Sequence, residues 1–278
     1  MPLVTTDHLL APARQAGRGV GAFNVIQIEH AEAFVAAATD AGTGVVLQIS
    51  QNAAAYHGGL EPIALASLAL ARAASVPVVV HLDHAEDRSL VTEAIGLGFT
   101  SVMYDGSALD YDDNVAATAA VVAEAHARGV VVEAELGKVG GKDGVHAPGV
   151  RTDPGEAVEF VRATGVDALA VAVGSSHAMT HRTAALDFDR IAELRAVVPV
   201  PLVLHGSSGV ADGDLTRAVE TGMTKINVST HLNHTLTTAL RTYLAEHPDV
   251  VDPRKYLGAG REAVRAEVVR LLGVLRAV

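Results

Sequence analysis

The sequence contains no cysteine and no tryptophan, and aromatic residues make up only 4% of it. Without cysteine there is neither a disulfide framework nor a thiolate metal site, so any metal is expected on histidine and carboxylate. The scarcity of aromatics leaves no base-stacking surface. Positive charge is also short: 21 Lys and Arg stand against 32 Asp and Glu, a formal net charge of −11. That balance repels polyanions, argues against nucleic acid as a partner, and requires local donors to attract any anionic substrate. No stretch approaches the roughly 20 uninterrupted apolar residues of a membrane span. The start MPLVTTDHLLAPARQAG lacks a basic segment followed by a long apolar run. The expectation is a soluble, untargeted chain in a reducing cytoplasm, with no membrane partner.

With 278 residues, 49% of them hydrophobic, the chain can bury one large core. No proline-rich linker, low-complexity tract or block of like charge divides it, so residues 1–278 read as a single domain. Short apolar, β-rich runs recur at Gly21–Val25, Gly44–Ile49, Val76–Leu82, Ser101–Tyr104, Val130–Glu133, Ala168–Val173, Pro201–Leu204 and Lys225–Val228. Between and after them lie alanine-rich stretches with helical spacing: Glu29–Asp40, Pro62–Ala74, Ser89–Leu97, Asn114–Arg128, Pro154–Thr164, Phe188–Val197, Asp212–Thr221 and Leu232–Glu246. Gly98, Gly129, Gly165 and Gly222 stand where helices end. Nearly continuous apolar strands alternating with amphipathic helices imply a parallel sheet covered on its outer face. Eight such units favour a closed (β/α)8 TIM barrel over a doubly wound sheet. Extra N-terminal and C-terminal helices are expected around Thr6–Gln15 and Gly260–Leu275, the first plugging the barrel floor.

A barrel enzyme gathers its chemistry at the C-terminal ends of its strands. The polar residues at or just beyond those ends are Asn24, Ser50, Asp83 with His84, Asp105, Glu135, His177, His205 and Asn227. Surface polarity would not choose the same end of each unit, whereas a convergent site must. One histidine alone is more often structural than a ligand, but His84, His177 and His205 at equivalent ends can meet on one ion and leave a position open, as catalytic zinc requires. His30, His57, His126, His231, His234 and His247 fall on helices or loops and read as surface residues. Asp105 and Glu135 are costly to bury unless paired or near a cation. They are either salt-bridge partners for Lys138 or a neighbouring basic residue, or groups that back the metal's ligands, or a second position into which the metal can move. The glycine-serine segments His205–Gly209 and Asn227–Thr230 follow strands 7 and 8, where barrels frequently bind phosphate, although such a segment also makes an ordinary turn. Gly137–Gly144 is long, polar and glycine-rich, which suits a lid over the mouth.

The segments Ala22-Phe-Asn24, His81-Leu-Asp-His84, Ser101-Val-Met-Tyr-Asp105, Glu133-Ala-Glu-Leu-Gly137, Gly140-Gly141, Leu202-Val-Leu-His-Gly-Ser-Ser-Gly209, Lys225-Ile-Asn-Val-Ser-Thr230 and Asp252-Pro-Arg-Lys-Tyr-Leu257, in this order, resemble the class II, zinc-dependent ketose-bisphosphate aldolases. That family includes the fructose- and tagatose-bisphosphate aldolases, and the resemblance covers almost the whole chain. It implies reversible aldol cleavage to dihydroxyacetone phosphate and glyceraldehyde 3-phosphate. His84, His177 and His205 match the zinc ligands, and Asp83 matches the carboxylate that exchanges a proton at the scissile bond. Asp105 and Glu135 match carboxylates of an alternative buried metal position. Gly206, Ser207 and Ser208, with Asn227, Val228, Ser229 and Thr230, match the segments that bind the dihydroxyacetone-phosphate half. Asn24, Ser50 and Ala178 join this substrate-binding set, as does Arg254, which resembles an arginine that reaches the second phosphate, in some members from a partner subunit. A homodimer or homotetramer follows, with one Zn2+ or other divalent ion per subunit and a monovalent cation near the phosphate.

The sequence makes three departures from the family, in two segments. The run His177-Ala-Met-Thr-His181 lacks the glycine usual after the second zinc histidine and the tyrosine and lysine that follow it. The loop Gly140-Gly-Lys-Asp-Gly144 is shorter than usual and lacks the proton-transferring glutamate that members carry after the double glycine, which leaves Asp143 as the nearby candidate. Three alternatives stand beside the ketose-bisphosphate reading: the same chemistry on another phosphorylated sugar or sugar acid, a metal-dependent hydrolase, and an inactive barrel serving as a binding protein. A hydrolase of this fold would want a His-x-His pair after strand 1, which Gly21–Gln27 lacks. An inactive barrel would be expected to lose a ligand or Asp83. Lys225, inside strand 8, is a conceivable Schiff-base lysine, but the metal explains more residues at once.

Overall fold

The computed structural model describes residues 2–136, 151–176, 179 and 181–278. Among them the chain runs α1 (Thr6–Ala16), β1 (Val20–Asn24), α2 (Ile28–Ala41), β2 (Val45–Ser50), α3 (Gln51–Tyr56), α4 (Glu61–Ala73), β3 (Val78–Ala85), α5 (Arg88–Leu97), β4 (Ser101–Tyr104), α6 (Tyr111–His126), β5 (Val131–Leu136), α7 (Pro154–Thr164), β6 (Ala168–Val171), α8 (Phe188–Val197), β7 (Leu202–Leu204), α9 (Asp212–Thr221), β8 (Met223–Val228), α10 (Thr230–Glu246) and α11 (Pro253–Val274). The eight strands form a closed barrel in chain order, β8 pairing in parallel with β1. This is the (β/α)8 architecture.

Local chemistry sets the helix ends. Asp87, Asp153, Asp187 and Asp252 each accept a backbone N–H of the first turn that follows, satisfying donors that a helix start leaves open. Gly98 closes α5 in the left-handed conformation with φ +98°, which a side chain rarely adopts. The apolar stripe of each helix faces the outer side of the barrel, where Phe23, Leu47, Val80, Val132, Leu169 and Leu204 lie fully buried.

Inside the barrel, residues spaced by two along each strand point inward. Val20, Ala22, Val46, Val79, Met103, Ala168, Ala170 and Val203 make a small separate core, joined by Leu10 and Ala13 of α1. The first helix therefore closes the floor, as expected. One step toward the C-terminal mouth the interior turns polar: Gln48, His81, Ser101, Glu133 and Lys225 are all buried.

Several boundaries differ from the sequence reading. α11 begins at Pro253, not Gly260, because Asp252 caps it and Pro253 takes the first helical position, where its missing N–H costs nothing. α3 was not expected; Ser50 initiates it by accepting from Ala53 N at 3.1 Å. β5 continues to Leu136, so Glu135 lies within the strand and not beyond it. His30 is a correction: it is 2% exposed, packed in α2 beside Phe34, where its side chain closes a reciprocal cap with Gln27. No described helix is long and apolar enough to cross a membrane.

Candidate active site

Asp83 and His84 are adjacent in β3, and in a regular strand adjacent side chains face opposite sides. Here the pairing of β3 with β4 slips between Leu82 and Ala85: three steps along β3 match two along β4. This extra residue is a β-bulge. His84 takes φ +48°, one of two described non-glycine residues with positive φ. The local break turns both side chains toward the same mouth.

Asp83 is 3% exposed and accepts from Asn24 Nδ2 at 2.8 Å, while Gln48 Nε2 donates to Asn24 Oδ1 at 2.8 Å. Asn227 Nδ2 approaches the other carboxylate oxygen at 3.5 Å. Burial alone would raise the pKa of Asp83, but the neighbouring His84, His205 and Lys225 and the bond from Asn24 outweigh it and hold the carboxyl below its ordinary value. His84 shows the converse balance: burial opposes its charge, yet Asp83, Asp105 and Glu135 push its pKa to about 9.

One carboxylate oxygen draws the two described histidines together. Glu135 Oε2 lies 3.6 Å from His84 Nδ1 and 3.7 Å from His205 Nδ1, and the two rings meet edge-to-face with centroids 4.5 Å apart. Asp105 Oδ2 is 2.9 Å from His84 Nδ1, and its other oxygen accepts from Ser107 Oγ at 2.6 Å. Asp83, His84 and His205 present ligand atoms that all lie within 4.8 Å of one another, as do His84, Asp105 and Glu135. His177 and Ala178 lie outside the described residues, as do Lys138, Asp143 and the expected lid. Asp105 and Glu135 face His84, which accounts for their burial.

Asn24, Gln48, Ser50, Gln51, Asn52, Asp83, His84, Glu86, Gly206, Ser208, Asn227, Ser229 and Thr230 line one cavity of about 400 Å³ at the mouth. Ser208 ties its two glycine-serine segments together, because its Oγ accepts from Ser229 N at 3.3 Å and His231 N at 3.2 Å. Thr230 opens the long helix α10, so an anion held there faces a helix start. Ser207 is buried and donates to Leu204 O, and Val228 is buried in β8. Neither lines the cavity. Arg254, at the start of α11, has a side chain 89% exposed and paired with Asp252; it does not line this cavity.

The family model for class-II fructose-bisphosphate aldolase matches residues 4–278. A probable fructose-bisphosphate aldolase of Bacillus subtilis is 42% identical over 97% of this chain and 96% of its own length. A fructose-bisphosphate aldolase of Geobacillus stearothermophilus is 41% identical over 97% and 95%. The chain belongs to the class-II fructose-bisphosphate aldolase family. Solved structures agree: the YdjI aldolase of Escherichia coli K12 superposes with TM-score 0.84 at 30% identity over 98% of this chain and 97% of that one. A putative fructose-1,6-bisphosphate aldolase of Coccidioides immitis superposes with TM-score 0.86 at 29% identity over 98% and 96%. Aldolases of this family are metal-dependent lyases.

The described residues fit such a metal. Two imidazoles and three carboxylates converge, and Glu133 Oε1 takes Nε2 of the His205 ring at 2.9 Å, setting Nδ1 toward the site. A ligating histidine ordinarily has its other nitrogen held in this way. Sequence reading passed over Gln48, Gln51 and Glu133. Gln48 lies inside β2, short of its end, and Glu133 closes the apolar run Val130–Glu133 but lies well inside β5, which continues to Leu136. The inward period of two that marks Ser50 and Glu135 would have found both. Lys225 is fully buried with its Nζ 2.8 Å from Glu133, an ion-pair partner inside the barrel and not a nucleophile facing the cavity. His126 pairs with Asp167 at 2.8 Å and His231 with Glu267 at 2.5 Å, so these two histidines are tethered and not simply solvated.

Proposed function

We propose that the chain, read as one barrel domain over residues 1–278, reversibly cleaves a ketose 1,6-bisphosphate, fructose first, to dihydroxyacetone phosphate and glyceraldehyde 3-phosphate. The observation that carries this reading is the convergence of His84 and His205 on Glu135 Oε2 beside the carboxylate of Asp83. His84, His205 and His177 would hold the cation, with Asp105 and Glu135 behind them. A divalent ion there, zinc if the three imidazoles are its ligands, would supply Lewis-acid stabilisation of the negative charge that develops at the ketone.

The remaining steps fall to side chains. Asp83, held as a carboxylate, takes the proton of the carbon-4 hydroxyl as the bond between carbons 3 and 4 breaks; the hydroxyl becomes the aldehyde and the electron pair stays on the ketone half. Asn24, fixed by Gln48, keeps Asp83 aimed at that proton. Gly206, Ser208, Ser229 and Thr230 offer backbone N–H groups and hydroxyls to the phosphate of the ketone half, and Asn24, Ser50 and Asn227 line the way between. By the family resemblance, Ala178 would offer a backbone N–H to the phosphate, and Asp143 would be the loop candidate for returning a proton to the carbanion. A monovalent cation beside the phosphate belongs to the same reading. Arg254, exposed and away from its own mouth, would serve a partner subunit in a homodimer or homotetramer, in the cytoplasm.

Stripping the protein with a chelator should abolish cleavage of fructose 1,6-bisphosphate, and Zn2+ or another divalent ion should restore it. Activity that survives chelation and is trapped by borohydride would overturn the reading in favour of an imine-forming lysine. A second reading, the same chemistry on another phosphorylated sugar or sugar acid, draws on the run His177-Ala-Met-Thr-His181. A panel of fructose, tagatose and other ketose mono- and bisphosphates separates the two.

A further inference from the structure

The polar layer beneath the mouth contains a charge pair that the cleavage steps do not use. Lys225 is 0% exposed and Glu133 1% exposed, with Nζ and Oε2 2.8 Å apart. Burying such a pair is expensive, and apolar residues of similar volume are often as stable or more so. The same barrel shows the apolar solution one layer lower, with Ala22, Val46, Val79, Met103 and Val203. Filling the barrel therefore does not explain this pair.

Geometry supplies an explanation. The two oxygens of Glu133 have separate partners: Oε1 is bonded to His205 Nε2 at 2.9 Å, and Oε2 meets Lys225. Among the described residues, the other group near Oε2, His81 Nε2, stands 3.8 Å away, and His81 is held through Nδ1 by Ser101 Oγ at 2.7 Å. Lys225 is thus the close contact that fixes the carboxylate plane, whose terminal torsion is otherwise soft. A fixed plane keeps Oε1 on His205 Nε2, and that bond selects the tautomer and ring orientation in which Nδ1 faces Glu135 and His84.

We propose that Lys225 is a positioning residue for the metal site, acting through Glu133 on His205. The proposal rests on the reading of His205 as a ligand. It is tested on metal-stripped protein titrated with Zn2+ against a chromophoric chelator, with thermal unfolding of the same samples in parallel. Lys225→Met is expected to fold and to bind Zn2+ about 10- to 100-fold more weakly, the range seen when a partner of a metal ligand is lost. Glu133→Gln should weaken binding similarly. The double variant should bind within about twofold of Glu133→Gln alone, since Lys225 acts only through that residue. Lys225→Arg, which keeps the cation, should recover much of the affinity.

A Lys225→Met variant that unfolds at lower temperature yet binds Zn2+ as the wild type does would overturn the proposal and leave a purely structural ion pair. If Lys225→Met does not fold, Lys225→Gln decides by the same readings: Zn2+ affinity as in the wild type overturns the proposal, and affinity lowered about 10-fold or more upholds it. Wild-type protein that binds no Zn2+ would refute the metal reading itself, an outcome distinct from variants that bind as well as the wild type.

Discussion

Replacing Asp83 by alanine should separate proton transfer from metal binding. The carboxylate accepts one short bond, from Asn24 at 2.8 Å, and a longer one from Asn227 at 3.5 Å. Both donors face the open mouth cavity, where water can replace the lost acceptor, so the fold should lose only about 1–2 kcal/mol. Turnover should suffer far more. A positioned general base contributes about 10²- to 10⁴-fold, or roughly 3–5 kcal/mol of barrel-mouth chemistry at 25 °C. The variant should therefore retain its Zn2+ while kcat for fructose 1,6-bisphosphate falls by about 10²- to 10⁴-fold.

Asp83 also belongs to one of the groupings whose ligand atoms lie within 4.8 Å of each other, so the metal content is a real discriminator. Metal analysis of dialysed protein, alongside a coupled assay for triose phosphate, reads both quantities. Cleavage within about tenfold of wild type would refute the proton-carrier role, because it falls below the range of general-base catalysis. Loss of the metal together with activity would make Asp83 a ligand and send the search for the base elsewhere. Asp83→Asn, which keeps the shape and an acceptor for Asn24, should lose turnover equally at a smaller cost in stability.

His30 is buried and burial lowers its pKa to about 4, so the unfolded chain binds a proton between pH 6.5 and 4 that the folded chain does not. Stability should fall with pH across that window, by about 2 kcal/mol from this group between pH 7 and 5. His30→Gln, which preserves the reciprocal cap, should flatten the difference in urea unfolding at the two pH values; an unchanged slope would refute the assignment. Gly206 has φ +68°, and a Cβ there would lie 2.5 Å from Ser176 O, so Gly206→Ala should cost about 1–3 kcal/mol and markedly lower kcat; equal stability and activity would contradict this. Ser208→Ala removes the acceptor shared by Ser229 and His231 and should raise KM about fivefold, with kcat little changed. A change in kcat alone would place Ser208 outside phosphate binding.

The barrel was legible because its two periods repeat: near-continuous apolar runs such as Val78–Leu82 and Leu202–Leu204 alternate with stretches whose apolar residues fall on one helical face. The mouth was legible for a related reason, since Asn24, Ser50, Asp105 and His205 sit at or one residue past the last strand position. What escaped reading depended on tertiary environment. His30 looks like any histidine on an amphipathic helix, and only packing against Phe34 shows it to be buried. Glu133 and Lys225 are 92 positions apart in sequence, and no local signal announces that β5 and β8 present them to one another across the barrel. α3 was missed because its six residues are too few for a helical period to register.

The irregular end of β3 shows how local cost and chemistry are joined. A strand that kept its alternation would point either Asp83 or His84 away from the mouth, leaving the proton carrier and the first imidazole on opposite faces of the barrel wall. The bulge between Leu82 and Ala85 avoids this, at the expense of a left-handed backbone at His84 worth about 1–2 kcal/mol. Contacts made only in that conformation offset the cost: His84 Nδ1 reaches Asp105 and Glu135, and Asp83 reaches Asn24. Strain in β3 and buried charge in the Glu133–Lys225 pair are departures from the rules the rest of the barrel obeys. Both lie within one layer of the same two histidines, where natural sequences are expected to give up local consistency for function.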